Sequence, residues 1–303
     1  MRISDDEIRG RIDKLWEMAS PCRLCPRACG ARRKEGEIGF CGAGWKYKLA
    51  SWAVHRGEEP PISGVRGSGT IFSSHCTMKC LYCQNFPFSQ LGNGKEVEVS
   101  ELADFYIELM NKGVHNLNFV TPTHYSPHLF EAWYLARQKI SELPIVYNTS
   151  GYERTEILAI LDGMVDIYLP DIRYSNNLIS KALSQTSDYV EVNRAAIKEM
   201  ARQVGPLTVD ENEIGIKGLI VRHLVLPNDS SGTRESLSWL SREIGTWMHI
   251  SLMCQYFPTY KATELEGLKR PISNEEYSKA LEILEECGFE NAWAQDPEET
   301  GGA

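Results

Sequence analysis

From residue 68 onward the chain alternates short runs of apolar and β-branched residues with longer stretches whose apolar positions recur every three or four residues. Six runs read as strands: 70–74, 117–121, 145–148, 165–169, 219–226 and 250–255. Between the first two, Ser100 reads as the cap of a helix whose Leu102, Phe105, Tyr106, Leu109 and Met110 form one apolar stripe, and Gly113 ends it. The last helix begins at Ser273, with Glu276 three residues on as a capping box, and stops at Gly288. Further helices are expected over 126–140, 154–161, 189–204 and 233–247. This rhythm of βα units predicts a parallel sheet. Six units are fewer than the eight that close a barrel, so the expected fold is α/β, a partial, open (β/α)6 TIM-like barrel whose working groups stand at the carboxyl ends of the strands.

Residues 1–65 follow another pattern. One short amphipathic helix precedes a stretch rich in Gly, Pro and Arg that holds four cysteines. A small Cys-rich metal-binding module is expected over 1–65, with the barrel over 66–303 and the Gly- and Pro-rich stretch 58–69 joining them.

Composition sharpens this. A chain of 303 residues with 42% apolar and 24% charged residues can bury a large core, which excludes a disordered or collagen-like chain and a small disulfide scaffold. A formal charge of -9 repels phosphate backbones, so a nucleic-acid partner is disfavoured. The charged start and the lack of any run of about 18 apolar residues argue against a signal peptide or a membrane span, and a cytoplasmic protein is expected. In a reducing compartment clustered thiols read as metal ligands. Seven of the nine cysteines lie between Cys22 and Cys83.

Cys76, Cys80 and Cys83, spaced Cys-x3-Cys-x2-Cys, directly follow the first expected barrel strand. Three thiolates on one loop can hold three irons of a cubane and leave the fourth open to a small chelating ligand. The competing readings are zinc, or an ordinary electron-transfer cluster completed by Cys254 or Cys287. Cys22, Cys25, Cys29 and Cys41 offer four ligands among Gly30, Gly36, Gly39 and Gly42, hence a closed site with a structural or electron-relaying task. Their spacing leaves zinc and a second [4Fe–4S] cluster equally open.

The segment from His75 to Asn85, His-Cys-Thr-Met-Lys-Cys-Leu-Tyr-Cys-Gln-Asn, resembles the signature loop of the radical S-adenosylmethionine (SAM) superfamily. Tyr82-Cys83-Gln84-Asn85, Leu169-Pro170-Asp171-Ile172-Arg173 and the run from Arg222 to Asn228 look like the pyruvate formate-lyase activating enzyme group, and Cys25-Pro26-Arg27-Ala28-Cys29-Gly30 is similar to its PflX-type members. The resemblance implies a [4Fe–4S] cluster on the Cys76 loop, SAM on its open iron, a 5′-deoxyadenosyl radical, a reductant such as flavodoxin or ferredoxin, and a glycyl radical enzyme as target. It further implies SAM contacts from Tyr82, Thr121, Asn148, Ser150, Asp171, Arg173 and Arg222, with Arg173 standing where the activating enzymes place a Lys for the SAM carboxylate. In place of the superfamily's Gly-Gly-Glu segment this chain has Val120-Thr121-Pro122-Thr123-His124, so the SAM amino group needs another contact. His124, Tyr125, His128, Gln255 and Tyr256, beside Thr123, are expected to rim the barrel mouth as a substrate site. The alternatives to an activase are radical modification of a small molecule or another protein side chain, and a plain electron carrier.

Overall fold

The structure is a computed structural model that describes residues 3–139 and 143–296. Ten strands form one sheet: β1 Tyr47–His55, β2 Ser68–Ser73, β3 Lys95–Val97, β4 Leu117–Val120, β5 Ile145–Thr149, β6 Ile167–Pro170, β7 Thr208–Val209, β8 Gly215–Leu224, β9 His249–Met253 and β10 Asn291–Ala294. The order is β10-β9-β8-β6-β5-β4-β2-β1-β3, with β7 paired to β8. All pairs from β2 to β10 along this path are parallel, and β1 pairs antiparallel with β2 and β3. The six expected barrel strands are β2, β4, β5, β6, β8 and β9, and the sheet is not closed. The inner strands are buried on both faces, which is why their sequences read as continuous apolar runs.

Several elements escaped the sequence pattern, three of which shape the site or the sheet edges. β1 lies within the span read as the Cys-rich module, yet it is hydrogen-bonded into the sheet beside β2. β10 adds a seventh parallel strand at the other edge. The helix Asn177–Ser184 follows β6, with the Asn176 side chain capping Leu178 N–H. Helix ends also shift. The helix expected to start after Ser100 runs Val99–Asn111, with Glu98 as its cap residue and no side-chain cap bond. The 233–247 helix stops at Glu243. The capping box of Ser273 and Glu276 is present on Asn274–Glu286. Ile140, the last residue of the expected 126–140 helix, lies outside the described residues.

The first helix, Asp5–Met18, buries Ile8, Ile12 and Leu15 in the main core, against the helices Ser126–Arg137 and Thr155–Leu161. Trp16 Nε1 donates to Glu131 at 2.5 Å. After it, buried Arg33 donates to Gly44 O and, at 2.7 Å, to His124 O, which ties the cysteine-bearing segment to the turn that follows β4. Among the described residues no helix is long and apolar enough to cross a membrane.

Candidate functional site

The carboxyl ends of β2, β5, β6, β8 and β9 open onto a cavity of about 750 Å³. Tyr82 and Cys83 enter it from the loop after β2, Asn148 from β5, Asp171 and Arg173 from the segment after β6, Arg222 from β8, and Gln255 from beyond β9.

A charged network crosses it. Arg222 Nε donates to Asp171 Oδ1 at 2.9 Å and its Nη2 to Asn148 Oδ1 at 2.6 Å. Glu58 Oε2 lies 3.6 Å from Arg222 Nη1. Arg173 donates from Nε and Nη2 to the other Asp171 oxygen, at 3.0 and 2.5 Å, and its Nη1 reaches Cys80 Sγ at 3.5 Å. Burial alone would raise the Asp171 carboxyl, but Arg222 and Arg173 more than offset this and hold it below its ordinary range. Asp171 thus aims Arg173 from the cavity wall toward the cysteine loop.

On that loop all three thiols are free. Cys80 Sγ accepts from Ser184 Oγ at 3.0 Å, Cys76 Sγ accepts Met78 N–H at 3.4 Å, and Cys83 Sγ lies 3.1 Å from Ser89 Oγ. Burial, and after it the neighbouring Cys80, push the Cys76 thiol up to about 12, so a metal taken up here must displace protons. His75, just before, holds a left-handed backbone at φ 69°, a conformation that costs on the order of 1 kcal/mol and starts the tight loop.

The comparisons with known proteins bear on this loop directly. The Radical SAM superfamily matches residues 70–240. The chain belongs to the radical SAM superfamily. It is 31% identical over 279 residues to the uncharacterized protein MJ0674 of Methanocaldococcus jannaschii, covering 89% of this chain and 75% of that one. In fold it is similar to the radical SAM methyltransferase TsrM of Kitasatospora setae, with a TM-score of 0.50, 10% identity, and 79% of this chain and 54% of that one covered. A domain of a pyruvate-formate lyase-activating enzyme from Bacteroides vulgatus matches 65% of this chain and 91% of its own length at 13% identity and a TM-score of 0.38. The chain spans between 54% and 58% of the length of four solved structures that it matches.

Radical SAM membership implies a [4Fe–4S] cluster and SAM. The donor set fits: three free thiols on one loop, each within reach of a hydrogen-bond partner, beside a cavity walled by a carboxylate-steered guanidinium.

Five of the residues expected around SAM line this cavity: Tyr82, Asn148, Asp171, Arg173 and Arg222. Thr121 and Ser150 do not. Thr121 sits in a left-handed turn and gives its N–H to Asn148 O, and Ser150 uses its carbonyl to accept from Tyr189 OH. The expected substrate rim is largely absent. His124, Tyr125 and His128 are buried: His128 Nε2 lies 2.7 Å from Trp45 O and its ring packs edge-on to Trp16 of the first helix, Tyr125 packs on Tyr47, and His124 Nε2 lies 2.8 Å from Ser74 O. Burial pulls both imidazoles down to about 3, so they are neutral and enclosed, unfit for proton transfer to a ligand. Tyr256 is also buried, its OH donating to Leu268 O at 2.6 Å. Of that set only Gln255 lines the cavity.

The sequence reading missed Glu58 and Glu59, which reach the cavity from the stretch taken as a connection. Ser184 was missed with its helix. Two adjacent acids before Pro60 and Pro61 were the available signal for the first pair. The Asn176 cap, followed by Leu178, Ile179 and Leu183, was the signal for the helix.

Proposed function

We propose that this protein is a cytoplasmic enzyme that reductively cleaves SAM and takes a hydrogen atom from a substrate held in the barrel lumen, in the manner of a glycyl radical activase. The observation that carries the reading is the Asp171–Arg173 pair beside Cys80, a carboxylate receptor set against the cysteine loop. Cys76, Cys80 and Cys83 would hold the cluster, which would supply the single electron, drawn from a reductant such as flavodoxin or ferredoxin, for cleavage of the SAM carbon–sulfur bond to methionine and a 5′-deoxyadenosyl radical. Arg173 takes the SAM carboxylate through its guanidinium fork. Asp171 fixes its aim, and Arg222 spans Asp171, Asn148 and Glu58 so that the polar wall is set before SAM arrives. The Tyr82 ring, packed edge-on to Tyr174 and Tyr256, closes the wall near the loop and keeps water from the radical.

Anaerobically reconstituted, reduced protein should release 5′-deoxyadenosine from SAM, and Cys80→Ala should abolish this. No deoxyadenosine above the level of the Cys76, Cys80 and Cys83 triple variant would refute the reading. For the target, reduced enzyme and SAM are incubated with host extract. A glycyl-radical doublet in electron paramagnetic resonance (EPR) that requires these cysteines supports activation of a partner enzyme.

Glu58 and Glu59 favour a second reading, modification of a small molecule or side chain that carries a cationic group. Both line the lumen, and Glu59 Oε2 is buried with no hydrogen-bond partner, a receptor for an ammonium or guanidinium. Transfer of deuterium from a labelled amine into deoxyadenosine would replace the activase reading with this one.

A further inference from the structure

The superfamily chemistry uses three of the nine cysteines, and four of the remaining six, Cys22, Cys25, Cys29 and Cys41, cluster before that loop without a task. All four are free thiols; Cys22, Cys25 and Cys41 are buried and Cys29 is exposed. The backbone folds around them through short local bonds, Gly30 N–H to Cys22 O at 3.0 Å and Cys22 N–H to Ala31 O at 2.9 Å. Cys41 lies near Cys22 and Cys29, and Cys25 near Cys41 and Cys22, close enough for their charges to be felt.

One feature repeats on the Cys76 loop. Cys41 Sγ accepts the N–H of Ala43 at 3.5 Å, as Cys76 Sγ accepts that of Met78 at 3.4 Å: a backbone donor two residues on, aimed at a thiolate. Hydrogen bonds of this kind to a cluster's sulfur ligands tune its potential, which an electron relay needs.

The two groups share a wall. Lys79 Nζ, between Cys76 and Cys80, donates to Cys41 O at 3.4 Å, and Arg27 Nε, between Cys25 and Cys29, donates to Thr77 O at 2.6 Å. Gly42 lies against the His75 imidazole so closely that a methyl group there would fall 2.9 Å from Nδ1. Cys41 and Cys76 are thus joined through one van der Waals contact between the residues beside them. The outer surface is basic: residues 23–48 hold six Lys and Arg besides the buried Arg33, against two Glu, in a chain of net charge -9. Ile38 stands 67% exposed there.

We propose that Cys22, Cys25, Cys29 and Cys41 hold a second [4Fe–4S] cluster, ligated by all four cysteines, which accepts single electrons from an acidic low-potential electron-transfer protein and passes them to the cluster on the Cys76 loop. Each passage reduces the second cluster from the 2+ to the 1+ state, oxidises the donor by one electron, and then returns the second cluster to 2+ as the loop cluster is reduced. No atom or proton moves. This deepens the radical SAM reading and rests on it for the electron's destination.

The test uses the full chain with Cys76, Cys80 and Cys83 all changed to Ala, which leaves the N-terminal segment intact. After anaerobic reconstitution it should hold about four irons per chain against about eight in the unchanged protein. Reduced by dithionite, it should give an EPR signal indifferent to SAM. Mixed with flavodoxin hydroquinone, it should oxidise one equivalent per chain, at a rate that falls as salt rises. One zinc per chain, or no metal, overturns the cluster. Four irons without oxidation of the flavodoxin overturns the relay. Failure of the radical reading reads out separately, as an unchanged protein with eight irons that makes no deoxyadenosine.

Discussion

Replacing Asp171 with Asn tests the network that frames the cavity. The carboxylate is buried and takes both Arg173 and Arg222 on separate oxygens. An amide is nearly the same shape, so packing hardly changes, but two partly buried guanidiniums lose their shared counter-charge. One amide oxygen can still accept from one arginine, while the amide nitrogen now points a donor at the other. Removing one partner of a buried ion pair costs roughly 3–5 kcal/mol. Arg222 keeps Asn148 and Glu58, which places the loss near the lower end, about 3 kcal/mol. At roughly 2–4 °C per kcal/mol for a chain somewhat smaller than this one, the melting temperature of cluster-free protein should drop by about 6–12 °C. The assay is paired urea and thermal unfolding, with the Asp171→Asn, Arg173→Gln double variant as control. Because the second change removes one of the stranded charges, the double variant should be more stable than the sum of the singles. A single-variant loss under about 1 kcal/mol, or strict additivity, would refute the claim that Asp171 is held by charge from both sides.

Three further outcomes are expected. Glu153, fully enclosed and accepting from Thr123 at 2.5 Å and from Thr149, has its carboxyl raised to about 7 by burial, so in the folded state it keeps a proton that the unfolded chain releases near 4.5. Its contribution is full below pH 4.5 and is lost as pH rises toward 7, by about 3 kcal/mol in all; Glu153→Gln should flatten this slope, and urea midpoints at pH 5 and pH 8 that shift equally in both proteins would contradict it. Ser184→Ala removes the hydroxyl that donates to Cys80 Sγ at 3.0 Å, and since hydrogen bonds to cluster sulfur favour the reduced form, an EPR titration should show the loop cluster's potential becoming more negative. Arg173→Met should weaken SAM binding by roughly 10- to 100-fold in calorimetry, the range of one charge-assisted contact, while iron content stays unchanged.

Much of the frame was legible because βα repetition leaves two periods in the sequence, and the cysteine loop because three thiols at tight spacing have few other uses. The polar wall was legible in part. Asp171 and Arg173 follow an apolar strand and Arg222 lies inside one, where an isolated charge needs a reason. His124 and His128 deceived the eye because a turn with Pro122 and Pro127 reads as surface. Trp16 of the first helix and Trp45 cover His128, and Ser74 and Arg33 enclose His124; such long-range burial leaves no local mark. Glu58 and Glu59 were hidden for the same reason: only the antiparallel return of β1 along β2 brings a residue before the barrel under its lumen. β10 is four residues long and lacks a strong apolar run, so nothing local set it apart.

The wall that Arg222 organises also bears on the order in which the parts are made. Arg222 reaches across 51 residues to Asp171 and 74 to Asn148, whereas the three cysteines of the loop lie within one short turn of chain. Contacts of such long range form only once the strands between them are in register. The loop can therefore gather its thiols early, but the polar wall proposed to take the SAM carboxylate exists only in a finished barrel. A chain caught half-folded could hold iron and still be unable to recruit SAM, which keeps a radical from being generated where no lumen yet encloses it.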